Sequence, residues 1–188
     1  RQGSPVMLSV EPERNEEGAC CIGAWVRDSM AGIGTVTYYD PDTNTFGALG
    51  HGITDGDTAA LMPFGNGAIL PSTVKAVKKG AKGDPGELKG DFSVQRDVGT
   101  VTVNSSGGIF GTVAEGDFVS GTALPVAQRS QVTTGPATIL STVSGDDTRA
   151  YQVEIVRLCP MNRDGRDLLL KVTDPQLLET TGGIVQGM

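Results

Sequence analysis

The chain has 188 residues, 38% of them hydrophobic and 20% charged, which is enough to bury a core in one domain and argues against intrinsic disorder. A formal charge of -7 argues against a nucleic-acid partner, because phosphate binding needs clustered Lys and Arg. Three cysteines, the adjacent Cys20 and Cys21 and the distant Cys159, make neither a disulfide framework nor a zinc spacing, and no run approaches the roughly 18 to 20 apolar residues of a membrane span.

In chain order, residues 1–20 contain "VMLSV" and then "EPERNEEG", and read as a strand followed by an acidic linker. The compact domain is expected over residues 21–188. Within it, "IGAWVR", "GTVTYY", "TVKAV", "VGTVTV", "ATILSTV" and "YQVEIVRL" alternate apolar with polar or small residues at the strand period of two. Between them lie "DPDTNT", "GDPG", "NSSGG" and "SGDD", whose Asp, Asn, Gly and Pro supply turn geometry. The basic cluster Lys75, Lys78, Lys79 and Lys82 shares its segment with Asp84 and Glu87 and reads as a solvated face. Only Asp174 to Thr181 makes a helical case: Thr173 or Asp174 is placed to cap it, Pro175 suits the first helical position, and Gly182 and Gly183 end it. Many short strands, glycine-rich turns and one short helix predict an all-β antiparallel barrel or sandwich.

The single histidine, His51, lies in "FGALGHGITDGDT", at the end of an expected strand. Gly50 and Gly52 flank it, so the backbone is free to take unusual angles and the ring is approachable from either side. An imidazole near its ordinary pKa of about 6.5 is a suitable general base at neutral pH, provided a carboxylate fixes its tautomer. Asp55 and Asp57 are the nearest carboxylates, open to that role, to a hard cation, or to simple turn formation; "DGD" lacks the length and distal Glu of a calcium loop. Neither "GxSxG" nor "SxxK" occurs, so the residues alone offer a base without a nucleophile. The terminal "GGIVQGM" has the form of a turn approaching one, with Gly187 two positions ahead of the expected attacker and its N–H available to an oxyanion.

The stretches "AGIGTVTYYDPDTNTFGALGHGITDGDT", "STVKAVKKGAKGDPGE", "GIFGT", "ALPVA", "GPA" and "LLLKVTDPQLLETTGGIVQGM" resemble, in order and spacing, the sporulation serine peptidases typified by the stage IV sporulation protein B peptidase. The resemblance implies a chymotrypsin-like double β-barrel. It maps the family's Gly-His base onto His51 and the aspartate of its "TDP" motif onto Asp174. Of the nucleophile motif "GMSGSP" the chain carries Gly187 and Met188, so the serine is expected to follow Met188, with the last strands of the second barrel beyond it. This chain alone is therefore expected to be inactive unless a C-terminal companion fragment supplies the rest.

The same resemblance implies acyl transfer by a Ser/His/Asp triad, with the Gly187 N–H as an oxyanion donor and no cofactor or metal. It further implies self-cleavage and cleavage of a membrane-bound sporulation regulator, which triggers sigma-factor processing, in the space between the mother-cell and forespore membranes. Full-length members of the family carry a membrane anchor and a PDZ domain. Two other readings stand beside it: a non-catalytic β-domain that binds a peptide or partner protein along a strand edge, and a metal-dependent hydrolase using His51, Asp55 and Asp57.

Overall fold

A computed structural model describes residues 6–24, 30–56, 58–94, 96–114, 122–159 and 166–188. The chain divides into two units, Arg1–Gly32 and Ile33–Met188. In the first unit, β1 (Glu13–Arg14) and β2 (Cys20–Cys21) form a small antiparallel hairpin. Asn15 builds its turn, accepting the N–H groups of Glu17 and Ala19 at 3.1 and 2.8 Å. The strand predicted at residues 6–10 does not form: the segment is exposed and pairs with nothing described, so alternation alone does not hold it in a ladder. Of "IGAWVR", residues 25–27 lie outside the described residues.

The second unit is built of hairpins. β3 (Val36–Asp40) and β4 (Thr45–Ala48) meet at "DPDTNT", where the Asp40 carboxylate accepts the Asp42 N–H at 3.0 Å and the Thr43 hydroxyl at 2.8 Å. After β5 (Gly67–Ile69), β6 (Ser72–Lys78) and β7 (Glu87–Phe92) pair around "GDPG". Lys78 is tied to Asp84 at 2.8 Å across that turn, and Lys75, Lys79 and Lys82 are all exposed. β8 (Gly99–Ser105) and β9 (Gly108–Val113) turn at "NSSGG". β10 (Gly135–Ser141) and β11 (Arg149–Leu158) turn at "SGDD", and β12 (Leu168–Val172) joins the far side of β11. Each of the four predicted turns thus closes a hairpin.

These hairpins assemble into a five-stranded sheet in the order β3-β4-β9-β8-β5, a β6-β7 ribbon and a three-stranded sheet β10-β11-β12. Among the described residues the architecture is mostly β with one short α-helix, as expected for a chymotrypsin-like family. The sheets are open and do not close into a barrel: β6 and β7 pair with each other, and no described ladder joins the outer edges of β3 and β5.

Among the described residues, three apolar clusters hold the second unit together. Phe46, Ala48, Val101, Ile109 and Val113 fill the five-stranded sheet. Phe46 is only 1% exposed, and Gly111 makes room for it, since a Cβ there would stand 2.8 Å from the ring. The second cluster joins Val74 and Leu88 of the ribbon to Val185, and the third joins Val143 and Tyr151 to Leu177. Met188 packs against both, so the end of the chain is anchored between two cores.

Helix α1 (Pro175–Thr181) follows the prediction closely. Asp174 caps it by accepting the Leu177 N–H at 3.0 Å, Pro175 opens it, and Gly182 ends it in the left-handed region with φ 74°. Two residues face inward, Leu177 and Thr181, each fully buried. Two turns of helix are marginal in water on their own. Burial of Leu177 in the third cluster, worth about 1.5 to 3 kcal/mol for a fully buried aliphatic side chain, is what holds this one in place.

Candidate active site

His51 follows β4 by three residues, and the chain leaves the strand through two consecutive left-handed residues, Leu49 (φ 73°) and Gly50 (φ 67°). A leucine there costs about 1 to 2 kcal/mol. Its neighbours hold it: the Leu49 N–H donates to Thr35 O at 3.3 Å, and its side chain occupies the space that a Cβ on Gly34 would take. The two glycines beside the histidine serve different ends. Gly50 supplies the backbone angle, with nothing near its missing Cβ. Gly52 supplies close approach, since a Cβ there would stand 2.5 Å from Ser105 O and 3.2 Å from Asn104 Oδ1.

The imidazole itself is exposed, with Nδ1 3.0 Å from Gly52 O. That carbonyl accepts only from the tautomer protonated at Nδ1, which leaves the Nε2 lone pair free to take a proton. Immediately downstream, Asn104 on β8 grips the loop. Its Oδ1 accepts the Ile53 N–H at 2.8 Å, and its Nδ2 donates to Ile53 O at 3.0 Å and Met62 O at 3.3 Å.

Asp55 builds the turn beyond, accepting both the N–H and the hydroxyl of Thr58 at 2.9 Å. Asp57 lies outside the described residues. Among the described residues no group of three or more His, Cys, Asp or Glu gathers as a metal cluster would require. Cys20, Cys21 and Cys159 are free thiols.

Asp174 sits where β12 folds back on β11. The N–H groups of Thr173 and Asp174 donate to Gln152 O at 3.1 and 3.0 Å, and the Gln152 N–H returns to Asp174 Oδ2 at 3.3 Å. The hydrogen bond from the Leu177 N–H holds the Asp174 carboxyl below the usual carboxylate range, more strongly than partial burial raises it; the Gln152 and Gln176 N–H groups add to the lowering. No hydrogen bond joins Asp174 to His51 among the described residues.

The tail after α1 lies along the β6-β7 ribbon. The Gly80 N–H donates to Thr181 O at 2.8 Å, the Gln186 N–H to Gly86 O at 2.9 Å, and the Leu88 N–H to Gln186 O at 2.9 Å. Gly187 then takes φ 96°, and its carbonyl accepts the Thr35 hydroxyl at 2.8 Å. Its N–H donates to nothing described, as an oxyanion donor must. Thr35 therefore touches both halves of the candidate site, through its carbonyl to the His51 loop and through its hydroxyl to Gly187.

Neither Thr35 nor Asn104 stands out in the sequence. Thr35 reads as one residue of the strand "GTVTYY", and Asn104 as part of the turn "NSSGG". The only local signal for either is the glycine pair around His51, which implies that another element approaches closely.

Neither a curated protein nor a solved structure matches the chain. The family described as SpoIVB peptidase S55 matches it over residues 18–188, which includes His51, Asp174 and the docked tail through Gly187. The chain belongs to that SpoIVB peptidase S55 family, whose members are sporulation peptidases of the serine type.

Proposed function

We propose that the protein is a serine endopeptidase acting by acyl transfer, with His51 as the general base, Asp174 as its electrostatic partner, the Gly187 N–H as an oxyanion donor and a serine following Met188 as the nucleophile. The serine oxygen attacks the scissile carbonyl carbon while its proton passes to His51 Nε2. The oxyanion that forms accepts the Gly187 N–H, the C–N bond breaks, and His51 returns the proton to the leaving amine. Water then repeats the sequence on the acyl-enzyme.

The observation that carries this reading is the docked tail. The residue two positions before the proposed nucleophile donates its N–H to none of the described residues while its carbonyl is held by Thr35, whose own carbonyl holds the chain two residues before His51. The His51 tautomer selected by Gly52 O supports the assignment, because it leaves Nε2 as the acceptor. The Asp174 carboxylate accepts the Gln152 N–H through Oδ2 and the Leu177 N–H through Oδ1, and the Gln176 N–H further favours its ionised form. Its charge, stabilised by those bonds, favours the imidazolium that forms. The proposed substrates are the protein itself and a membrane-bound sporulation regulator, in the space between the two membranes around the forespore; the family match supports a sporulation serine peptidase in general.

The test is self-cleavage and labelling by a fluorophosphonate serine probe in the intact peptidase. His51→Ala is expected to lower both by at least about 10² to 10⁴, the usual contribution of a general base, and Asp174→Asn to lower them less. Unchanged labelling in the His51→Ala protein would overturn the proposal.

A further inference from the structure

We infer that Thr35 is the positioning residue that fixes the oxyanion donor relative to the base, an inference that rests on the serine-peptidase reading above. Glycine populates positive and negative φ about equally, so Gly187 has more ways to turn than its neighbours Gln186 and Met188. The residues on either side of it are held. Gln186 is clamped to the ribbon by Gly86 and Leu88, and the Met188 N–H donates to Val185 O at 3.3 Å. The Gln186 carbonyl, bonded to the Leu88 N–H, sets the peptide that carries the Gly187 N–H, and the Thr35 hydroxyl anchors the next peptide by donating to the Gly187 carbonyl at 2.8 Å.

The consequence for chemistry is one of sign. A carbonyl turned toward a developing oxyanion repels it, whereas an N–H directed at it stabilises the transition state. Holding the carbonyl on Thr35 keeps the Gly187–Met188 peptide in one arrangement and leaves the N–H of the preceding peptide unspent. The same residue accepts the Leu49 N–H at 3.3 Å, two residues ahead of His51, so base and donor are referred to one point on the chain. That link spans 152 residues in sequence and no local motif encodes it. Thr35 touches no substrate in this scheme; it acts through Gly187.

A hydroxyl acting this way has a defined signature. In the intact peptidase hydrolysing a p-nitrophenyl ester of an N-acyl amino acid, Thr35→Val keeps the side-chain volume and loses the hydrogen bond. Its kcat is expected to fall about 10- to 100-fold, up to the scale of a misplaced catalytic group and short of the roughly 10²- to 10³-fold of a missing oxyanion donor, with KM nearly unchanged. Thr35→Ser restores the hydroxyl and is expected to recover most of kcat. The apparent pKa in the kcat/KM profile should stay the same in all three proteins, since the base is untouched.

His51→Ala measured beside them separates the two claims. If it retains activity, the serine-peptidase reading fails. If it is inactive while Thr35→Val keeps kcat within about twofold, or while Thr35→Ser is as slow as Thr35→Val, the positioning role is overturned and the peptidase reading stands. Thr35→Ala is a second variant without the hydroxyl. If neither it nor Thr35→Val retains the wild-type thermal transition, the bond is purely structural and the inference is likewise overturned.

Discussion

Asn104 grips Ile53 by both of its backbone polar groups, accepting its N–H at 2.8 Å and donating to its carbonyl at 3.0 Å. A third bond, to Met62 O at 3.3 Å, draws the two ends of the loop together. The side-chain amide does for this loop what a paired strand would do. Asn104→Asp keeps the acceptor but sets a carboxylate against two carbonyls, whereas Asn104→Ala removes everything. Each is expected to lose about 1 to 3 kcal/mol, the cost of leaving partly buried backbone groups unpaired, measured by denaturant unfolding. Hydrogen exchange at Ile53 should rise in Asn104→Ala, which loses the acceptor of its N–H, and an unchanged rate there would contradict the clasp.

The Asp174 cap makes a prediction about pH. Its carboxyl is held below the usual range in the folded chain, chiefly by the Leu177 N–H. The folded state therefore binds that proton less readily than the unfolded state does. Its contribution to stability is fully present above the unfolded pKa of about 3.9 and is lost as pH falls through the lower folded value. Asparagine caps a helix nearly as well and does not titrate. The gap in melting temperature between wild type and Asp174→Asn should be largest at neutral pH and vanish in strong acid; a gap that is constant with pH would refute the linkage.

Gly182 and Thr181 fix the end of α1. Gly182 has φ 74°, and a Cβ there would run into Gly80 O, so Gly182→Ala is expected to cost more than about 1 to 2 kcal/mol, the penalty for left-handed backbone alone. Thr181 is fully buried, and its hydroxyl bonds Leu177 O at 2.7 Å as well as Gly183 O. Thr181→Val keeps the shape and removes these bonds, at an expected cost of about 1 to 3 kcal/mol. Calorimetry of the two variants checks both values.

Phe46 carries the core of the five-stranded sheet. Phe46→Ala should destabilise the second unit by about 3 to 5 kcal/mol, the range for emptying a buried aromatic site, as read from the denaturant midpoint. Because the ring is accommodated by Gly111, Gly111→Ala should also destabilise, by overpacking.

The elements that were legible in the sequence are those whose signals are local. The four hairpin turns needed only their Asp, Asn, Gly and Pro, and α1 needed only Asp174, Pro175 and Gly182. The strands with clean alternation, such as "TVKAV" and "YQVEIVRL", formed where expected. Others were hidden by residues that serve a neighbour. β9 carries Gly111 because a ring lies over it, and β7 carries Gly90 because a Cβ there would strike Thr73 O. β12, "LLLKV", has no alternation to read. At "VMLSV" the pattern was present and the strand was not, since a strand requires a partner and none of the described residues supplies one.

By itself, the sequence determined the residue types and the local geometry of the candidate site: a histidine between two glycines, an aspartate capping a helix, and a glycine-rich tail. Only the tertiary structure decided what holds them. The tail "GGIVQGM" gains its meaning by lying along the β6-β7 ribbon and meeting Thr35, 152 residues away, and the His51 loop gains its shape from Asn104, 51 residues beyond Ile53. Hydrogen bonds of that range depend on how separate hairpins pack, and neither periodicity nor turn chemistry carries that information.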